Sequence, residues 1–167
     1  MHSRSMAVQE SYLLHSRQVQ KEWRSMNDYI LYSKFGFAKV QDDDADASAS
    51  GLFISSPSLQ EAKQEKRVEK RLLLNEYPYY VQEGIEHWCL WKLGARVDEH
   101  EIEVAVGELR SRMEGEKGGD GGGELEDVLT WVNPPHLQSV PDIDHAHLLC
   151  LRKKRSKCNS QPVGINS

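Results

Sequence analysis

Two histidines separated by one residue, His145 and His147, close the segment WVNPPHLQSVPDIDHAHLLCL between Trp131 and Leu151. A third, His87, opens the apolar run EHWCLWKL. Residues two apart on an extended chain point to the same side, about 7 Å from each other. His145 and His147 would therefore present paired imidazoles, and a neighbouring strand carrying His87 would add a third. Three imidazoles with one open position are the ligand count of a catalytic zinc site, and two with a carboxylate suit non-haem iron. This makes His87, His145 and His147 the candidate ligands for zinc or iron, although a strand histidine often just hydrogen-bonds within a polar core. The same three, with Glu86 and Asp144, are the candidates for acid–base catalysis. Each acid precedes a histidine, and adjacent strand residues face opposite sides, so a bulge or a strand end would have to re-aim it. Cys89 shares a face with His87, which formally allows an imidazole-activated thiol, but its setting in WCLW points to burial and an inert thiol.

Recognition without reaction is the second chemistry on offer. Tyr77, Tyr79, Tyr80, Trp88, Trp91 and Trp131 gather around the same two segments. Aromatic walls with a few amides and hydroxyls suit a sugar or a nucleotide. The candidate ligand-binding residues are Asn75, Tyr79, Trp91, Asn133, Gln138 and Ser139, with core packing as the competing explanation of the aromatics. HAHLL also departs from the histidine-triad nucleotide hydrolases, whose next alternate histidine is Leu149 here.

Several elements must position these groups. Val19, Trp23, Met26 and Ile30 repeat at helical spacing, which predicts one helix from about Val8 to Tyr32, ended near Gly36. The acidic, small-residue run from Gln41 to Ser50 belongs to a flexible loop of about 41–55; it lacks the glycine and glutamate positions of an EF-hand. Ser58 and Glu61 make a capping box for a second helix to about Leu74, with most of its charged surface in water. EHWCLWKL reads as a buried strand. Asp98 and Glu101 cap a third helix to about Met113, followed by a glycine-rich flexible loop at 115–124. Strands are expected at Asp127–Val132 and His145–Leu151. The result is an α+β protein: a small, mainly antiparallel sheet with packed helices, one domain over 7–151, a disordered stretch at 1–6 and a basic disordered tail at 152–167.

Composition narrows the class further. At 167 residues, 38% hydrophobic and 28% charged, the chain fits one modest core. A net charge of −5 disfavours a general nucleic-acid binder. Three cysteines without CxxC spacing suit a reducing, intracellular compartment. No apolar segment reaches the length of a membrane span, so the expectation is a soluble cytoplasmic protein without a membrane role. The run RKKRSK in the tail is a candidate nuclear-localisation or polyanion-binding patch. Protein partners are not specified by the sequence.

The blocks NEYPYYVQEGIEHWCLW and TWVNPPHLQSVPDIDHAHLL together resemble a eukaryotic family of unknown function that includes the fungal N-acetylglucosamine-induced proteins. The resemblance runs from about Leu72 to Arg152 and does not clearly include the N-terminal helix. It points to Asn75, Pro78, Tyr79, His87, Trp91, Trp131, Asn133, Pro134, Gln138, Ser139, His145 and His147. It implies a cytosolic or nucleocytoplasmic protein linked to amino-sugar metabolism and brings no reaction with it. Three functions are thus expected, in order: binding of a sugar or phosphosugar in a histidine-lined pocket, a metal-dependent hydrolase or isomerase, and an adaptor that uses its charged helix and basic tail.

Overall fold

The computed structural model describes residues 5–43, 52–82, 84–115, 125–138 and 140–153. The expected disordered start, the glycine-rich loop, most of the acidic loop and the basic tail fall largely on residues outside these ranges. Where one long N-terminal helix was expected, there are two: α1 (Met6–Glu22) and α2 (Met26–Phe35). Ser25 is the reason. Its side chain accepts the Asp28 N–H at 3.1 Å and restarts the helix, while Trp23 is extended and bridges Phe53. Gly36, at φ +74°, ends α2 in the left-handed conformation expected of it. The chain then forms a two-stranded antiparallel ribbon, β1 (Ala38–Gln41) with β2 (Phe53–Ser56). Asp28 fastens this ribbon to α2 by accepting both the N–H and the hydroxyl of Ser55 at 3.0 Å.

The second helix is also shorter than expected. α3 (Leu59–Gln64) has its capping box at Ser58 and Glu61 but stops after Gln64, and β3 (Glu69–Leu74) replaces its second half. The charge spacing of KQEKRVEKR allows a helix, yet pairing with the next strand satisfies the β3 backbone and places Leu72 and Leu73 against the sheet. That tertiary gain exceeds a propensity difference of well under ~1 kcal/mol per residue. Glu69, bonded by Arg67 and Arg71, keeps this edge strand charged.

β4 (Ile85–Leu93), α4 (Glu99–Gly115), β5 (Leu125–Val132) and β6 (Asp144–Arg152) complete the domain. The four-stranded sheet runs β3-β4-β6-β5, antiparallel throughout. α4 packs Ala105, Leu109 and Met113 on one face, against Leu90, Ala146, Leu148 and Cys150. Each fully buried leucine there contributes roughly 1.5–3 kcal/mol. The opposite face carries His87, Cys89 and Trp91 on β4, His145 and His147 on β6, and Trp131 on β5. A second core, built from Ile30, Leu31 and Phe35 of α2 with Leu93 and Ile143, closes one end of that face. Among the described residues no helix is long and apolar enough to cross a membrane.

Candidate functional site

Register decides which side chains meet. β4 and β6 pair without a shift from Ile85 to Lys92, so Cys89 lies opposite His147, Trp91 opposite His145 and His87 opposite Leu149. On β5, Trp131 lies on the other side of His147. Directly opposed residues approach to about 4.5–5.5 Å. The result is a cluster of His87, Cys89 and His147, whose ligating atoms all lie within 4.8 Å of one another. His87 Nε2 is 3.0 Å and Cys89 Sγ 3.6 Å from His147 Nδ1, and all three residues are buried. The expected trio of His87, His145 and His147 is therefore not the group that converges. His145 stacks on Trp91 with ring centroids 4.5 Å apart and meets His147 edge-on at 5.0 Å. Burial pushes its pKa below the ordinary value, against weaker pulls from the Ile143 carbonyl and Asp144, so the ring is neutral near pH 7. Its Nδ1 is buried without a hydrogen bond of good geometry.

The outer nitrogens of the cluster are held by donors. The backbone N–H of Tyr79 donates to His87 Nδ1 at 3.2 Å. Asn75 Nδ2 sits 3.2 and 3.4 Å from the two nitrogens of that ring, and its Oδ1 accepts the Tyr77 N–H. The Trp131 indole N–H can only donate, so the atom it meets at 3.2 Å is Asn133 Oδ1. This turns Asn133 Nδ2 toward His147 Nε2, 3.0 Å away. Tyr79 stacks on His87 and Trp131 on His147, with centroids 4.9 Å apart in both pairs. Two imidazoles and a thiol are a suitable donor set for zinc or copper. The surroundings fit a metal less well, because a neutral metal-bound imidazole must give its other N–H to an acceptor, and these two face an N–H and an NH₂.

Glu86 and Asp144 stay on the far side of their strands, with no bulge to re-aim them. Glu86 accepts the Trp88 indole N–H at 3.0 Å and pairs with Arg152 at 2.7 Å. Asp144 accepts the Val97 N–H at 2.8 Å and Gln138 Nε2 at 3.2 Å. Gln138 also bonds the Asn133 carbonyl at 2.8 Å, so it clamps the turn after β5. Ser139 lies outside the described residues.

Above the cluster, between the sheet and the two N-terminal helices, is a cavity of about 380 Å³. Its floor includes Cys89, His145 and His147, with Trp91 and Asn133 beside them; Asn75 and Tyr79 come from the loop after β3. His87 is not on its lining. The roof comes from Tyr12 and His15 of α1 and from Tyr29 and Lys34 of α2. His15 stacks on Tyr77 at 5.3 Å, and Lys34 pairs with Glu76 at 2.7 Å.

A family model described as a protein of unknown function, DUF3605, matches residues 1–151. The chain belongs to that family. The match takes in α1 and α2, which the resemblance over Leu72–Arg152 had left out, so the cavity roof lies within the DUF3605 span. No curated protein matches the chain. The crystal structure of HTC1 overlays on it with a TM-score of 0.48 and 23% identity, covering 90% of this chain and 76% of that one. The roof residues of this DUF3605 domain were missed from sequence because no local motif marks them. A signal did exist: Tyr12, His15 and Val19 are three and four residues apart, on one helical face.

Proposed function

We propose that this DUF3605 domain binds a small, neutral, polyhydroxylated molecule, a sugar being the best fit. The cavity supports the reading: about 380 Å³ lies within the usual range for small-molecule sites, with aromatic faces beside convergent amides and imidazoles. Tyr79 and Trp91 suit the C–H face of a sugar ring, and Asn75, Asn133 and His145 suit its hydroxyls. A phosphosugar is less favoured, because the one lysine on the lining, Lys34, is already paired with Glu76. The resemblance to N-acetylglucosamine-induced proteins puts that amino sugar first among ligands to try. The adaptor alternative loses its main support, since the charged segment it needed is divided between α3 and β3. A cytoplasmic location, with RKKRSK as a nuclear signal, is the reading that the composition supports.

The test is thermal shift followed by titration calorimetry against neutral sugars, sugar phosphates and nucleosides. At least one neutral sugar should raise the melting temperature with concentration and release or absorb heat at one site, and Trp91→Ala should abolish both effects. A panel that leaves melting and heat unchanged would remove the reading.

A further inference from the structure

We propose that the outer face of α1 is an interface between two copies of this chain, which pair their first helices antiparallel about a two-fold axis. An ordinary surface helix turns its apolar stripe inward and its polar face to water. α1 is inverted. Tyr12, His15 and Ser16 face the cavity, while Met6, Leu13 and Leu14 are 91%, 45% and 58% exposed. At 3.6 residues per turn, Met6, Glu10, Leu13, Leu14, Arg17 and Lys21 fall within an arc of about 100°, and all six are exposed. They form one stripe down a helix about 25 Å long. Isolated surface leucines are ordinary, but an adjacent pair at the centre of a stripe, flanked by opposite charges, marks a contact surface.

The charges select a second copy as the occupant. Glu10 has no basic residue three or four places away along α1, and Arg17 has no acidic one. Among the described residues neither has an ion-pair partner. A two-fold axis midway between Leu13 and Leu14 sets Glu10 of each copy beside Arg17 of the other, and Met6 beside the aliphatic stem of Lys21. The leucines of both copies meet at the centre and leave water together. The stripe is thus its own complement, as an isologous interface requires. A parallel pairing would oppose Glu10 to Glu10 and Arg17 to Arg17, so the charges also fix the direction. The seam is small, which makes the dimer a dissociating one, with a Kd in the micromolar range or above. It bears on the cavity as well: α1 carries part of the roof yet buries one residue, Val19, so the second copy adds a fastening that the core does not supply. The pairing needs no sugar in the cavity and can fail independently of the binding reading.

The experiment is sedimentation velocity of the full chain from about 1 to 300 μM, with hydrogen exchange measured at both ends of that range. The protein should pass from monomer to dimer, and amide exchange in α1 should slow as the dimer forms. Leu13→Gln with Leu14→Gln keeps good helix formers on an exposed face and should hold the chain monomeric with its melting temperature unchanged. Glu10→Arg and Arg17→Glu, each alone, should weaken pairing by about tenfold or more, because each sets like charges against one another. Mixed in equal amounts, these two variants should recover a dimer, since at these positions one copy then carries positive charges and the other negative. A chain that stays monomeric at the top of the range, a dimer that survives the glutamines, or single variants that mixing fails to rescue would each overturn the proposal. So would a monomer that floats with vesicles of phosphatidylcholine and phosphatidylserine only while the leucines are present, which would give the stripe to a lipid surface.

Discussion

His87 and His147 are the same residue type in the same cluster, yet different neighbours hold them. The Tyr79 backbone N–H donates to His87 Nδ1, whereas His147 Nε2 lies 3.0 Å from the Asn133 side-chain amide. In ¹⁵N-histidine spectra His87 should therefore carry its proton on Nε2. A neutral His87 protonated on Nδ1 would contradict the arrangement. The rare residue types of this site were legible: Asn75, Tyr79, His87, Trp91, Asn133, His145 and His147 could all be picked out as unusual company for apolar strands. Their partners were not. Whether Cys89 faces His147 or His145 depends on the offset between two strands more than fifty residues apart, which the sequence does not encode locally.

Elements differ in how much of their cause is local. α4 and the three strands that carry the site were readable because capping pairs and apolar runs act within a few residues. β3 was not, because its charged sequence tolerates a helix and only pairing with β4 decides the matter. The division of α1 from α2 rests on Ser25 and Asp28, a cap signal present in the sequence but hidden inside a continuous apolar spacing. Glycines test the same distinction. Gly94, at φ +82°, follows β4 so closely under the α3–β3 link that an added Cβ would lie 2.1 Å from the Arg67 carbonyl oxygen. Gly36 has φ +74° and nothing within 4 Å. In urea unfolding, Gly36→Ala should cost about 1 kcal/mol of backbone strain. Gly94→Ala should cost roughly 2–4 kcal/mol, because strain and overlap with rigid backbone add. Equal losses would show that the β4 turn can relax.

For the whole molecule, Glu101 and His145 are two of the groups that make stability fall with acid. Burial pushes the Glu101 carboxyl up, but bonds from Lys92, the Asp98 N–H and Lys70 outweigh it and hold the group at about 2. Its contribution is complete above the unfolded value near 4.5 and is lost as the pH falls toward 2. His145 is lowered from 6.5 by burial, so the folded state disfavours its proton, and stability declines as the pH drops below about 6.5. The urea midpoint should therefore fall in two stages on acidification. Glu101→Gln should flatten the lower stage and His145→Asn should shrink the upper one. A midpoint constant from pH 7 to pH 3 would contradict both assignments.

Of the 17 residues in α1, one, Val19, is buried, yet this helix supplies Tyr12 and His15 to the cavity roof. α2 is anchored in the core by Ile30, Leu31 and Phe35, and the sheet beneath by the apolar face under α4. One side of the chamber can therefore lift at a free-energy cost well below that of unfolding the domain. Amide protons of α1 should exchange with deuterium far sooner than those of β6, and a bound ligand should slow the exchange in α1 most. The residence time of a ligand would then be set by how often a lightly fastened helix swings away, so mutations on its outer surface could change dissociation rates without touching a single atom that contacts the ligand.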